Sequence, residues 1–427
     1  MADAAAVQPA IEPLAAPPAV RWPLARRLVF RFFFCYWLLY GLPSGPGRVN
    51  IVVFIPGASY VTRYWVNLWQ ALIPWVAIHV FGVTGRAATY FRTGSGDTTL
   101  QYVANLLYLA VALAGAALWS VLDRKRTNYL KLDGWLRLWV RYTLAFTLFS
   151  YGFAKVFPLQ FGPPFPNKLI EPWGDFSPMG ALWSFMGASI PYIIFSGAAE
   201  VTGGLLLLFR RTACLGALVS FAVLANVAAL NYCYDVPVKL YSTNLLLMAA
   251  FLAAADLRRL ANVLVLNRPV GPAQFSEPVF ARRGLRIAAT AFWALFVGYA
   301  LYNEIHGGWQ GYVARYLKPA RPPLYGVYDV ESGPANWKKV VVSFSQGMTV
   351  RTTEDKSLNF GTQYTGDLLV VNKRDQLKIS RPDADHVALE GQLFGAPASI
   401  RLKHENDSQF LLLSRGYHWI NEMPFNR

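Results

Sequence analysis

The feature that most constrains this chain is a series of apolar runs long enough to cross a lipid bilayer. The strongest run, Leu100–Leu122, contains no charged residue. About 20 apolar residues in a helix span the hydrocarbon core of a bilayer. Only 15% of the residues are charged, against about 25% in ordinary soluble domains. Several such runs have no place in a water-soluble globule, so the sequence predicts a polytopic, all-α membrane helix bundle.

The sequence predicts seven spans and one interfacial helix. Besides Leu100–Leu122, the predicted spans are about Leu28–Leu42, Leu138–Phe157, Ile190–Phe209, Cys214–Leu230, Lys239–Ala255 and Ile287–Tyr302. The stretch Trp65–Val83 holds three tryptophans and an internal proline, Pro74. This composition favours a helix that lies on the membrane surface. The alternative is that it also crosses, which gives eight spans.

The distribution of charge predicts the orientation. The net charge is +16, yet residues 322–427 hold 12 basic and 12 acidic residues, so the whole excess lies in the apolar part. Basic residues cluster in loop 123–137, at Arg210 and Arg211, and in loop 256–286. Cytoplasmic loops of membrane proteins carry such an excess. The N-terminus is therefore predicted to be cytoplasmic. Nucleic-acid binding is not expected, because the soluble part is neutral.

Three regions follow from composition. Residues 1–24 are rich in Ala and Pro and are predicted to be a disordered tail. Residues 25–321 form the transmembrane helical domain, and residues 322–427 an extracytoplasmic domain. Short apolar runs that alternate with turn residues predict its strands: Leu324–Glu331, Trp337–Phe344, Leu368–Val371, Leu377–Ser380, His386–Phe394, Ser399–His404 and Phe410–Leu413. Six to eight strands predict a small antiparallel barrel or sandwich.

Two ionisable residues inside predicted spans are candidates for chemistry, because charges are costly in lipid. Lys155 lies near the end of its span, on one helix face with Tyr151. Glu200 lies about ten residues into its span, roughly 15 Å along the helix. These three residues are the predicted catalytic groups. The alternatives are that Lys155 extends to the interface, and that Glu200 is a structural partner for a neighbouring helix.

Further polar residues are predicted to gather toward the outer leaflet around a cavity that opens outward. The candidate binding residues are Asn226, Asn231, Asp235, Lys239, Asn244 and Asp97. The alternatives are that loops are polar in any case, and that Asp97 caps a helix. No metal site is predicted. His79 and His306 also fall on this side, but nothing in their spacing requires a metal or haem.

The residues around Lys155 and Glu200 resemble the DoxX family of bacterial membrane proteins. The resemblance rests on YGFAKVF (Tyr151–Phe157), on SGAAEVTGGLLLLFRRTACLGAL (Ser196–Leu218), and on the turn NYCYDVPVKLYS (Asn231–Ser242). It covers about residues 135–260. It implies a four-helix core, the bacterial inner (cytoplasmic) membrane, and an association with sulfur and quinone redox chemistry. The chain also distantly resembles the membrane domain of vitamin-K-dependent-carboxylase-like proteins, in which a lysine serves as a base, but it lacks their large soluble half.

Three functions stay open, so the sequence does not decide whether the protein is an enzyme. The first is redox chemistry on a quinone-like or other amphipathic small molecule in the outer cavity, with Lys155 and Glu200 handling protons. The second is transport or lipid binding in the same cavity. The third is assembly with an extracytoplasmic protein partner that docks on the β domain. Membrane lipids are expected partners in all three. The isolated cysteines Cys35, Cys214 and Cys233 do not predict a reactive pair.

Overall fold

The computed structural model describes residues 21–42, 52, 55, 57–91, 94–273, 278, 280–344 and 347–425. Most of the predicted tail, residues 1–20, lies outside the described residues. Its last residues already contact the helices. Trp22 is buried, its backbone N–H donates to the Thr127 carbonyl, and its ring meets Phe30 and Tyr129 edge to face.

The described N-terminal region is predominantly helical. Its helices are α1 Leu24–Gly41, α2 Ala58–His79, α3 Thr99–Leu122, α4 Leu130–Val156, α5 Pro166–Leu169, α6 Pro178–Gly187, α7 Ile190–Leu208, α8 Ala213–Cys233, α9 Lys239–Ala253, α10 Leu257–Leu264 and α11 Arg283–Tyr312. A π-helical turn, Val313–Leu317, continues α11. The stretch predicted to be interfacial falls largely within α2, which contains Pro74.

Five helical segments of the described chain are long and apolar enough to cross a membrane. They are Thr99–Leu122, Ile190–Leu208, Ala213–Cys233, Lys239–Leu264 and Arg283–Leu317. The predicted spans in α1 and α4 are less apolar because both helices carry several charged residues. The α4 helix buries much of its length against its neighbours, with Val140, Leu144, Phe146 and Phe149 almost fully buried. The number of helices that cross a membrane stays a prediction.

The C-terminal domain is a closed antiparallel barrel, which decides between the predicted barrel and sandwich. Its eight described strands are β1 Gly326–Ser332, β2 Trp337–Val342, β3 Gly347–Thr352, β4 Ser357–Thr365, β5 Leu368–Val371, β6 Asp375–Ser380, β7 His386–Leu393 and β8 Ala396–His404. Each strand pairs with the next, and β1 closes on β8 with Val330 opposite Leu402. Leu377, Leu389, Ile400 and Leu402 fill the interior. Closure leaves no unpaired edge strand.

Two strands were missed by the sequence analysis, and one predicted strand is wrong. The β3 and β4 strands carry many polar residues, and Ser357, Leu358 and Asn359 are exposed, so their apolar periodicity is weak. The run Phe410–Leu413 is not a strand, because residues Leu411–Ser414 form one turn of helix, α12. A short apolar run is compatible with either structure when it has no partner strand.

The barrel contacts the helical region at the connection between α4 and α7. Arg351 of β3 is buried and pairs with Asp175 at 3.2 Å. The rings of Phe165 and Phe344 meet edge to face. At the end of α11, the Arg315 guanidinium donates to the Leu159 carbonyl. The barrel therefore lies at the same end of the helical bundle as loop 158–189.

Candidate functional site

A buried ion pair joins two helices at the centre of the candidate site. The Lys155 ammonium lies 3.0 Å from Oε1 and 2.8 Å from Oε2 of Glu200. Both residues are buried, with 7% and 4% of their surfaces exposed. Lys155 therefore does not extend to the bundle surface. Low-dielectric surroundings make such a pair costly to break, since removing one partner leaves an isolated buried charge.

Glycines allow the two helices to approach closely enough for this pair to form. A Cβ atom added to Gly197 of α7 would lie 2.6 Å from both the Gly152 carbonyl oxygen and the Lys155 Cβ of α4. At Gly204 it would meet the Phe149 ring at 2.7 Å. Gly203 instead faces α8, where the added atom would meet Ser220. Small residues at a helix interface permit this close packing.

The ion pair forms part of the wall of a cavity of about 390 Å³ between α4, α6, α7, α8 and α9. This volume is in the range of small-molecule sites. Besides the pair, the polar residues that line the cavity are Thr147, Tyr151, Gln160, Ser196, Asn226, Asn231, Tyr241 and Ser242. The other walls are apolar and aromatic, with Phe161, Leu182, Trp183, Met186 and Phe195 among them. We call this space the Lys155–Glu200 cavity.

Two amide side chains in this cavity have unused hydrogen-bonding atoms. The Gln160 Oε1 atom and the Asn231 Nδ2 atom are buried and have no hydrogen-bond partner among the described residues. Buried polar atoms are normally paired, and each unpaired one costs about 1–3 kcal/mol. A ligand hydroxyl group can donate to the Gln160 oxygen, and a ligand carbonyl or hydroxyl oxygen can accept from the Asn231 amide nitrogen.

The predicted binding residues separate into two groups. Asn226 and Asn231 line the cavity together with all three predicted catalytic residues. The four others lie elsewhere in the described bundle. The Asp97 carboxylate accepts the backbone N–H groups of Lys239 and Leu240, so it caps α9. Asp97 is therefore a helix cap, which was the alternative to a binding role. The helix that it caps is distant in sequence.

The remaining three predicted residues have structural partners of their own. The Lys239 ammonium pairs with the Asp235 carboxylate at 2.7 Å near the start of α9. Asn244 is buried outside the cavity lining, where its Oδ1 accepts from the Tyr36 hydroxyl at 2.6 Å. Residues 241 and 245 of the same helix line the cavity instead.

The aromatic wall of the cavity and two of its polar residues, Tyr241 and Ser242, were not predicted from the sequence. Leu182, Trp183 and Met186 belong to α6, inside what the sequence suggested was only a loop. The Ser177 hydroxyl accepts from the Gly180 N–H, with Pro178 at the first helical position. This Ser-Pro pair is a helix-start signal that could have revealed α6. The sequence around Tyr241 and Ser242 contains no comparable signal that predicts their position in the cavity.

The described residues contain no group of three or more His, Cys, Asp and Glu side chains that could hold a metal ion. His79 Nδ1 lies 2.8 Å from the Trp75 carbonyl, and the His306 ring pairs with Gln310. Each histidine thus contacts a residue four positions away on its own helix. The cavity offers binding groups for a neutral or polar organic ligand instead.

Comparison with known proteins gives one informative relationship. No family model matches the chain, and no solved structure matches it. The chain is 37% identical over 123 residues to the protein YwoB of Bacillus subtilis (strain 168), which is described as uncharacterized. The match covers 78% of that protein and 29% of this chain. Identity at this level over most of the relative shows that the chain belongs to the same family as YwoB.

Proposed function

We propose that this protein is an integral membrane protein that binds an amphipathic small molecule in the Lys155–Glu200 cavity. A quinone-like compound is the preferred class of ligand. The observation that carries the proposal is a buried ion pair in a cavity whose other walls are apolar. The ligand's polar group would meet Lys155, Glu200 and the two amides, and its apolar part would lie against α6 and α7.

Insertion into a membrane is supported by the apolar helices and by the segregation of charge between the two ends of the bundle. Gln160, Asn231 and Val236 place the cavity at the end formed by loops 158–189 and 231–238. These loops contain a single basic residue, Lys168. The clusters at 123–137 and 210–211 lie at the other ends of α4 and α7. By the positive-inside rule the cavity and the barrel would face the extracytoplasmic side.

The ion pair suits a ligand that takes up or releases protons. The Lys155 ammonium can donate a hydrogen bond to a carbonyl oxygen, and the Glu200 carboxylate can accept one from a hydroxyl group. A quinone presents the first group and a quinol the second. Lys155 is therefore the proposed hydrogen-bond donor to a ligand carbonyl, Glu200 the proposed acceptor from a ligand hydroxyl group, and Tyr151 a positioning residue. Transport without chemistry and docking of a protein partner on the barrel stay predictions.

The proposal is tested by mass spectrometry of small molecules that co-purify with the protein in mild detergent. Wild type, Glu200→Gln and Asn231→Leu are compared with Asp97→Asn, a carboxylate variant outside the cavity. We expect wild type and Asp97→Asn to retain an amphipathic compound that the two cavity variants lose. Retention of the same compounds in all four proteins would contradict the proposal and assign the ion pair a structural role.

A further inference from the structure

A second cavity lies at the opposite end of the bundle from the Lys155–Glu200 cavity. Its volume is about 400 Å³, and it lies between α4, the α7–α8 turn, α9 and α10. Arg141, which lines it, is 14 residues from Lys155 on α4, a separation of about 21 Å along the helix. The two cavities are therefore distinct sites. We call this second space the arginine cavity.

Its defining feature is an excess of positive charge. Five arginines line it: Arg137, Arg141, Arg210, Arg211 and Arg259. Two carboxylates accompany them. Asp256 lies 2.5 Å from Arg259, and Asp133 lies 2.8 Å from Arg137. The described lining of the cavity holds five guanidinium groups and one carboxylate, Asp256. A wall this rich in guanidinium groups is electrostatically favourable for a bound anion.

Two of these guanidinium groups each have a nitrogen that makes no hydrogen bond within the described part of the chain. Arg137 Nη1 and Arg259 Nε are buried and have no hydrogen-bond partner among the described residues. Arg141 is 4% exposed, so one charge of the cluster lies well inside the bundle. Guanidinium groups present several N–H donors in a planar fork that matches phosphate oxygens. The donor set therefore fits a phosphate group.

The rest of the wall is apolar and continues toward the bundle surface. Leu215 and Leu218 of α8, Leu252 of α9, and Val263 and Leu264 of α10 line it. Leu264 is 70% exposed. A free phosphate ion makes no favourable contact with an apolar wall, whereas an acyl chain packs against it. Basic pockets between membrane helices on the cytoplasmic side bind anionic lipid headgroups.

We infer that the arginine cavity binds the phosphate group of an anionic phospholipid from the cytoplasmic leaflet. The headgroup would lie among the five arginines and an acyl chain along α8 and α10. The inference rests on the proposed membrane insertion, but not on a ligand in the Lys155–Glu200 cavity. The lipid would join the α7–α8 turn to α10, and so stabilise the bundle.

The test measures the thermal stability of the full chain, purified and delipidated in detergent, as lipid is added. Phosphatidylglycerol is compared with phosphatidylcholine of identical acyl chains and with inorganic phosphate. We expect phosphatidylglycerol to raise the melting temperature by several degrees. The other two should give less than a quarter of that shift. An equal effect of phosphatidylcholine, or a full effect of inorganic phosphate, would overturn the lipid assignment.

Matched charge variants test the location of the site. R210Q/R211Q removes two exposed arginines of the cavity, and R282Q/R283Q removes two exposed arginines outside it. We expect the first pair of changes to reduce the lipid-induced shift at least twofold and the second to leave it intact. Equal shifts in both variants would overturn the inference. Glu200→Gln should keep the full shift, which separates this outcome from a failure of the proposed function.

Discussion

The Lys155 ammonium lies within 3.0 Å of both carboxylate oxygens of Glu200, although 45 residues separate the two in sequence. The pair joins the end of α4 to the middle of α7 beside a cavity that is otherwise mostly apolar. Burial of a charged pair is costly, and replacing it with apolar side chains is often neutral or stabilising. The position of this pair at a cavity wall is what the proposed ligand binding would require.

This view predicts opposite effects of the pair on stability and on binding. Lys155→Met alone or Glu200→Leu alone should destabilise the protein by about 3–5 kcal/mol, because each leaves an isolated buried charge. The double variant should recover most of that loss yet fail to retain the ligand. Thermal unfolding and ligand mass spectrometry on the same samples measure both effects. A double variant as unstable as the single ones would contradict the prediction.

The close approach of α4 and α7 predicts that Gly197 tolerates no side chain. In Gly197→Ala the new Cβ would overlap the Gly152 carbonyl oxygen and the Lys155 Cβ, each 2.6 Å away. We expect a loss of about 1–3 kcal/mol from this overpacking. Gly298→Ala on α11 is the matched control, because a Cβ there meets no atom within 4 Å. It should be neutral or stabilising by about 0.5–1 kcal/mol, as alanine favours the helix over glycine. Equal melting temperatures for the two variants would argue against the close approach.

The proposed orientation predicts which residues react with a membrane-impermeant maleimide in intact cells. Cys233, at the end of α8 beside the charge-poor loops, is exposed and should be labelled. In a second protein, whose three native cysteines are changed to serine, Arg258→Cys introduces an exposed thiol in α10 at the opposite end. This thiol should react only after permeabilisation. The reverse pattern would show that the barrel faces the cytoplasm.

In the barrel, His386 is predicted to titrate above its ordinary range. The Asp383 carboxylate lies 2.8 Å from His386 Nδ1, and this contact, with a smaller effect of Glu331, raises the pKa of His386. The imidazolium therefore stabilises the barrel at low pH. That contribution is complete below the unfolded-state pKa of about 6.5 and is lost as pH rises through the higher folded-state value.

Histidine-labelled NMR of the full chain measures this titration, with His386→Gln to assign the resonance. In Asp383→Asn the pKa of His386 should fall toward its ordinary value. An unchanged His386 titration in Asp383→Asn would show that the ion pair does not form in solution.

Local patterns in the sequence determined the element types and the candidate chemistry. Apolar runs about 20 residues long predicted the helices, because a bilayer requires that length. Alternation predicted most of the barrel strands, and the cost of charges in lipid drew attention to Lys155 and Glu200. Each of these signals lies within one segment of the chain and needs no knowledge of its neighbours.

The tertiary structure decided which of those residues meet. Asn226 and Asn231 face the Lys155–Glu200 cavity. Asp97 caps α9 from a distant loop, and Asn244 faces α1. The rotation of each helix about its axis sets these contacts, and that rotation depends on packing against other helices. For the same reason the sequence showed the basic loops but not the arginine cavity, where residues from four segments converge. Barrel closure likewise depends on β1 pairing with β8, a contact between the two ends of the domain.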